Sequence, residues 1–167
     1  MASIAALPPV ETARLRIGLL AADDAAALQA LTDDPAITGA IHFLASPFTR
    51  ADAERLVRGD CHGVGRFFGV RLRDDPRVLV GVIGGGLRGA DEVEIGYWFG
   101  SHFWGRGFAG EAVGGFLALL KREFSGRRIV AECRRDNQAS WRLLHRLGFQ
   151  PAGEAAERPH REKLTLL

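Results

Sequence analysis

In the segment Trp104-Gly105-Arg106-Gly107-Phe108-Ala109-Gly110, three glycines fall directly after a strand-like run and directly before a helix-like one. Glycine lets the backbone turn tightly and approach a ligand closely, and the helix that follows offers free N–H groups at the positive end of its dipole. A strand, loop and helix in this order form an anion site suited to a diphosphate. Upstream, Val93, Ile95, Tyr97 and Phe99 alternate with Glu94, Gly96 and Trp98, so the two sets take opposite faces of a strand. Downstream, Ala112, Val113, Phe116, Leu117, Leu120 and Phe124 recur at helical spacing and predict a helix from about Gly107 to Phe124.

Gly105, Gly107 and Gly110 match the G-x-G-x-x-G spacing of dinucleotide loops, but no strand with an acidic end follows at the required distance. A Walker loop fits worse, because the chain has no Gly-Lys-Ser/Thr. Instead Arg128 to Cys133 reads as a short strand. Asp136 or Asn137 then caps a helix whose Ala139, Leu143, Leu144 and Leu147 face the core and which Gly148 ends.

Earlier in the chain, Arg14 to Leu20 reads as a strand and Ala22 to Thr32 as a helix stopped by Asp33-Asp34-Pro35. Ile37 to Pro47 reads as an irregular connection, and Thr49 to Arg58 as a second helix with a threonine cap, the two together suited to form a lid. Arg66 to Leu72 and Val78 to Leu87 predict a hairpin around Arg73-Asp74-Asp75-Pro76-Arg77. Gly81, Gly84, Gly85 and Gly86 lie in its second strand, where they admit a close neighbour or a bulge. Phe149 and Arg161 to Leu166 supply a last pair of strands.

Taken together, the Glu94-Ile95-Gly96-Tyr97-Trp98 strand, the Trp104 to Ala109 loop, Asn137-x-x-Ser140 and Leu147-Gly148-Phe149 resemble the GNAT N-acetyltransferase superfamily and its RimJ/RimL-like branch. Thr12 to Arg16 and Phe48 to Glu54 extend the resemblance over nearly the whole chain. It implies one α+β domain over residues 1–167, with residues 1 to about 11 loose. The implied sheet is mixed and mostly antiparallel, with about six to seven strands, about four flanking helices, and splayed fourth and fifth strands.

On that resemblance, the pantetheine arm of acetyl-CoA lies between the splayed strands against the main chain of Trp98 and Phe99. The loop Gly105, Arg106, Gly107, Phe108, Ala109 and Gly110 holds the diphosphate, chiefly through amides. Trp104 and Gly110 depart from the superfamily's usual residues, and Gly110 forgoes a hydroxyl contact. Glu94 is either the base for the amine or a strand-face carboxylate paired with an arginine. Ser140 either protonates the leaving thiolate or bonds the backbone in the first helical turn. Asn137 holds cofactor, caps the helix, or does both. His42 and Phe43, with Phe48, Tyr97 and Trp104, are the candidate acceptor contacts.

Composition adds bounds. The chain has 167 residues, large enough to bury a core unaided, and 47% are hydrophobic and 25% charged, as in soluble globular proteins. No apolar run reaches spanning length and no secretory pattern opens the chain, so a cytoplasmic address is expected. Cys61 and Cys133 read as free thiols, and neither has zinc-site spacing, so no metal is expected. A net charge of +2 is too small to argue for nucleic acid, which is not an expected partner. Arg127, Arg128, Arg134, Arg135, Arg142 and Arg146 form either a solvated face or a hold for a nucleotide-like anion. The expected partners are acetyl-CoA and an amine acceptor, with a homodimer also compatible. Two other readings stay open: an acyl-CoA-binding domain without turnover, and a module for another diphosphate.

Overall fold

The computed structural model describes residues 3–60 and 65–167, so Cys61 lies outside the described residues. Eight strands form a single open sheet: β1 (Val10–Glu11), β2 (Leu15–Leu19), β3 (Arg66–Leu72), β4 (Leu79–Arg88), β5 (Glu92–Phe99), β6 (Arg128–Arg134), β7 (Phe149–Pro151) and β8 (Arg161–Leu166). Their order is β1-β2-β3-β4-β5-β6-β8-β7. Every neighbouring pair is antiparallel except β5 and β6, which the long helix α4 (Phe108–Glu123) connects in the parallel sense. The expected fourth and fifth strands are thus β5 and β6, because the short β1 adds one strand at the edge.

Alternation along β5 fixes what lies on each side. Val93, Ile95 and Phe99 join Phe116, Leu120 and Leu144 in one cluster beneath α4 and α5 (Gln138–Arg146). Trp98 joins Phe67, Val82, Leu28 and Leu56 in the other, beneath α1 (Ala25–Thr32) and α3 (Arg50–Arg58). Thr49 caps α3 with Asp52 in a reciprocal capping box. Among the described residues no helix is long and apolar enough to cross a membrane.

Three expectations are corrected. Residues 4–11 do not run loose: Ile4 and Leu7 are buried in the core, and Val10–Glu11 pairs with β2. The connection after Asp33 contains a helical turn, α2 (Pro35–Thr38), because Asp34 accepts the Ala36 N–H at 2.9 Å and Pro35 fits the first helical position. Asp-Pro, which stops one helix, starts the next. The helix expected from Ala22 begins as a 3₁₀ turn at Ala22–Asp24, with the Asp24 carboxylate accepting the Ala21 N–H at 2.8 Å.

The glycines of β4 admit close neighbours. Gly85 lies under the Phe116 ring, and Gly81 lies against Phe99, its partner in β5. A β-carbon on Gly81 would stand 2.3 Å from the Phe99 ring. Gly81→Ala should therefore force that ring aside and lower unfolding free energy in urea by about 1–3 kcal/mol. Unchanged stability would contradict this strand register.

Candidate active site

β5 and β6 begin in register and then part. Glu92, Val93, Glu94 and Ile95 pair with Arg128, Ile129, Val130 and Ala131, and the pairing stops there. Beyond this point β5 continues only against β4 to Phe99, and β6 only against β8 to Arg134. The facing edges from Gly96 and Glu132 onward are left to a ligand.

On the α4 side, the gap opens into a cleft of about 710 Å³ lined by Trp98, Phe99, Gly105, Gly107, Phe108, Ala109, Gly110, Asn137 and Ser140 among others. Gly105 and Gly107 hold positive φ of 76° and 77°, which glycine alone adopts freely. The first intrahelical bond of α4 runs from Glu111 N–H to Gly107 C=O at 3.2 Å. The amides of Phe108, Ala109 and Gly110 therefore precede the helical ladder and remain available to an anion. Volume, loop conformation and donors fit a coenzyme diphosphate with an extended arm.

A clamp that sequence reasoning missed fixes this loop. Arg14, beside β2, donates from Nη1 to the Arg106 carbonyl at 2.9 Å and from Nε to Glu111 at 2.7 Å, and its guanidinium stacks 4.5 Å from the Phe108 ring centre. Thr12 Oγ1 and the Arg14 N–H also donate to Glu111, each at 2.7 Å. The contacts span more than ninety residues, so no local pattern signals them. Arg106 itself contributes its carbonyl to the clamp. Of the six clustered arginines, Arg134, itself paired with Asp136, and Arg146 line the cleft, and Arg128 and Arg135 are committed to other carboxylates.

Through the gap lies a smaller pocket of about 80 Å³, lined by His42, Phe43, Glu94, Gly96, Tyr97, Glu132, Cys133, Ser140, Arg158 and Arg161 among others. Gly84 and Gly96 pair across β4 and β5 at its floor, where the missing side chains leave the space. Phe43 packs on Phe67 and Trp98, and His42 meets Phe43 edge-on.

Tyr97 and Trp104, expected with His42 and Phe43, divide: Tyr97 lines their pocket as well as the larger cleft, and Trp104 lines only the cleft. The Tyr97 hydroxyl shares a 2.8 Å hydrogen bond with Ser140 on the α5 side. Burial holds its phenol well above the ordinary tyrosine value, so it keeps its proton. Trp104 lines the cofactor cleft and donates from Nε1 to the Phe99 carbonyl at 2.8 Å, using one of the main-chain acceptors expected for pantetheine. Asn137 caps α5, accepting the Ser140 N–H at 3.2 Å, and also borders both cavities. Cys133 is a free buried thiol whose ionisation burial disfavours.

Glu94 is paired with arginine. One carboxylate oxygen accepts from Arg88 and the other from Arg158, which also reaches Glu132 at 3.0 Å. Burial pushes the Glu94 carboxyl up, but hydrogen bonding and charge from Arg158 and Arg88 outweigh it and hold it below the ordinary value. His42 is held down by burial first and then by Arg158 and Arg161, so it stays neutral near pH 7.

The comparisons with known proteins agree with this architecture. The model of the acetyltransferase (GNAT) domain matches residues 14–150. The chain belongs to the GNAT acetyltransferase family. It is 28% identical over 106 residues to the uncharacterized N-acetyltransferase YnaD of Bacillus subtilis, a match covering 64% of this chain and 62% of that protein. A GNAT-family acetyltransferase from Bacillus anthracis superposes with a TM-score of 0.82 at 25% identity, covering 96% of this chain and 98% of the other. RimL, a ribosomal L7/L12 α-N-protein acetyltransferase solved with coenzyme A, gives a TM-score of 0.78 at 19% identity, covering 95% and 96%, and shares the fold.

The Glu94 pairing predicts a pH signature. A carboxylate whose folded pKa is depressed adds stability that is complete above its ordinary pKa and lost as pH falls through the folded value. Glu94→Gln should lower unfolding free energy by about 2 kcal/mol near neutral pH, with the difference from the parent shrinking as acid protonates Glu94. Thermal melts across pH check this, and a difference that persists unchanged into acid would contradict it.

Proposed function

We propose that this GNAT-family chain is an acetyl-CoA-dependent N-acetyltransferase that moves an acetyl group to a primary amine by direct attack in a ternary complex. The observation that carries this reading is the parting of β5 and β6 after Ile95 and Ala131. It joins a cleft suited to coenzyme on the α4 side of the sheet to a small pocket in which Glu94, Glu132, Arg158 and Arg161 meet.

Acetyl-CoA, when bound, supplies an electrophilic thioester carbonyl. The amides of residues 105–110 hold its diphosphate, and the edge of β5 that faces the gap, at Tyr97 and the Phe99 N–H, orients its arm. The neutral imidazole of His42 takes the proton that an ammonium must lose before attack. Glu94, with both oxygens engaged by arginine, sets the pocket's charge rather than taking that proton. As the C–N bond forms and the C–S bond breaks, Ser140 Oγ gives its proton to the departing sulfur, and the protonated Tyr97 hydroxyl donates to Ser140 in support. The second proton leaving nitrogen restores that of Ser140 through solvent, so each turnover releases one proton overall.

Thiol release from acetyl-CoA over a panel of amines tests the reading. Ser140→Ala should lower turnover ~100-fold while CoA affinity, by calorimetry, stays unchanged. Equal loss of rate and binding would return Ser140 to a structural role. CoA binding with no thiol release for any amine would make this an acyl-CoA-binding domain instead.

A further inference from the structure

The pocket beyond the strand gap contains a guanidinium without an anion. Arg161, at the start of β8, lines it and is partly buried, yet among the described residues it makes no ion pair. Its recorded hydrogen bonds go to the Ala40 carbonyl at 3.3 Å and the Glu132 carbonyl at 3.5 Å, both longer than the usual range. A guanidinium carries five donors, and these two bonds leave three without a partner among the described residues. The other charged groups here are matched: Arg158 with Glu94 and Glu132, Arg88 with Glu94, Arg134 with Asp136.

The balance of charge is positive. Arg88, Arg158 and Arg161 stand against Glu94 and Glu132, and His42 is neutral. Glu157 reaches only to 4.0 Å from Arg88 and is 65% exposed, so solvent screens it. The chain between the two arginines also bends unusually. His160 holds a left-handed φ of 60°, a conformation that costs a non-glycine residue about 1 kcal/mol or more. Arg158 and Arg161 on either side of it both line the pocket.

We infer that the acceptor amine carries a carboxylate, and that Arg161 is the residue that binds it. This rests on the acetyl-transfer reading and narrows it to small amino-acid-like acceptors, in keeping with a pocket of about 80 Å³. A guanidinium binds a carboxylate through two parallel N–H···O bonds, and the incoming anion also neutralises the excess positive charge.

The test measures thiol release from acetyl-CoA with free L-amino acids, their carboxamides and the corresponding decarboxylated amines, alongside CoA calorimetry. The parent protein should favour one or more amino acids over the matched carboxamide by at least ~10-fold in kcat/KM. In Arg161→Gln the KM for the amino acid should rise ~10–100-fold and that preference should fall toward unity, with Arg161→Lys between. Melts of both variants establish folding, and Arg161→Lys keeps the test open should Arg161→Gln unfold. Thiol release confined to amines without a carboxylate, or a preference that survives both substitutions, overturns the assignment and leaves acetyl transfer standing. Failure to bind CoA removes acetyl transfer and this assignment together.

Discussion

Backbone hydrogen bonds withheld between β5 and β6 are the feature on which the site depends. Buried peptide groups without partners cost free energy, so a sheet that opens in its middle must be held by what surrounds the opening. Here β4 follows β5 to Phe99 and β8 follows β6 to Arg134, so each parting strand keeps a complete ladder on its outer side. Trp98 and Phe99 are buried in clusters on opposite faces, which pins the end of β5 where it borders the gap. A ligand with an extended polar arm can then bind as a missing strand would.

The two ends of the opening are fixed by different physics. On the coenzyme side geometry dominates: left-handed glycines and a helix N-terminus aim donors at one point, and the Arg14 and Thr12 contacts to Glu111 hold that point against the edge of the sheet. On the acceptor side charge dominates. Glu94 and Glu132 are largely buried and share Arg158, so their negative charge is matched inside the protein. On the proposed reading, the pocket offers a positive field to the acceptor's carboxylate and an uncharged imidazole to its ammonium.

Local pattern explains which parts of this were legible in the sequence. Alternation in β5, the glycine loop, the α4 stripe and the Asn137 cap each lie within about twenty residues and obey helix or strand periodicity. The resemblance to GNAT proteins rests on the β5 strand, the glycine loop, Asn137-x-x-Ser140 and Leu147-Gly148-Phe149, each a local motif. What the sequence concealed is contact at a distance. Arg158 lies 64 residues from Glu94 and Glu111 lies 97 from Arg14, and neither distance leaves a periodic trace. Arg88 was closer to view: Gly86 pairs with Glu94, and Arg88 is two residues further along the same strand face. The pleat sends Tyr97 and Trp98 to opposite sides of the sheet, and Tyr97 still borders both cavities because it stands at the gap that joins them.

Hydrogen exchange at backbone amides with and without CoA tests the central claim most directly, because it reads the groups that the opened sheet leaves for the ligand. The account predicts slowed exchange in residues 97–99 and 105–110 when CoA is added, with β3 and β7 unaffected. Full-affinity CoA binding with no protection in either segment would contradict it.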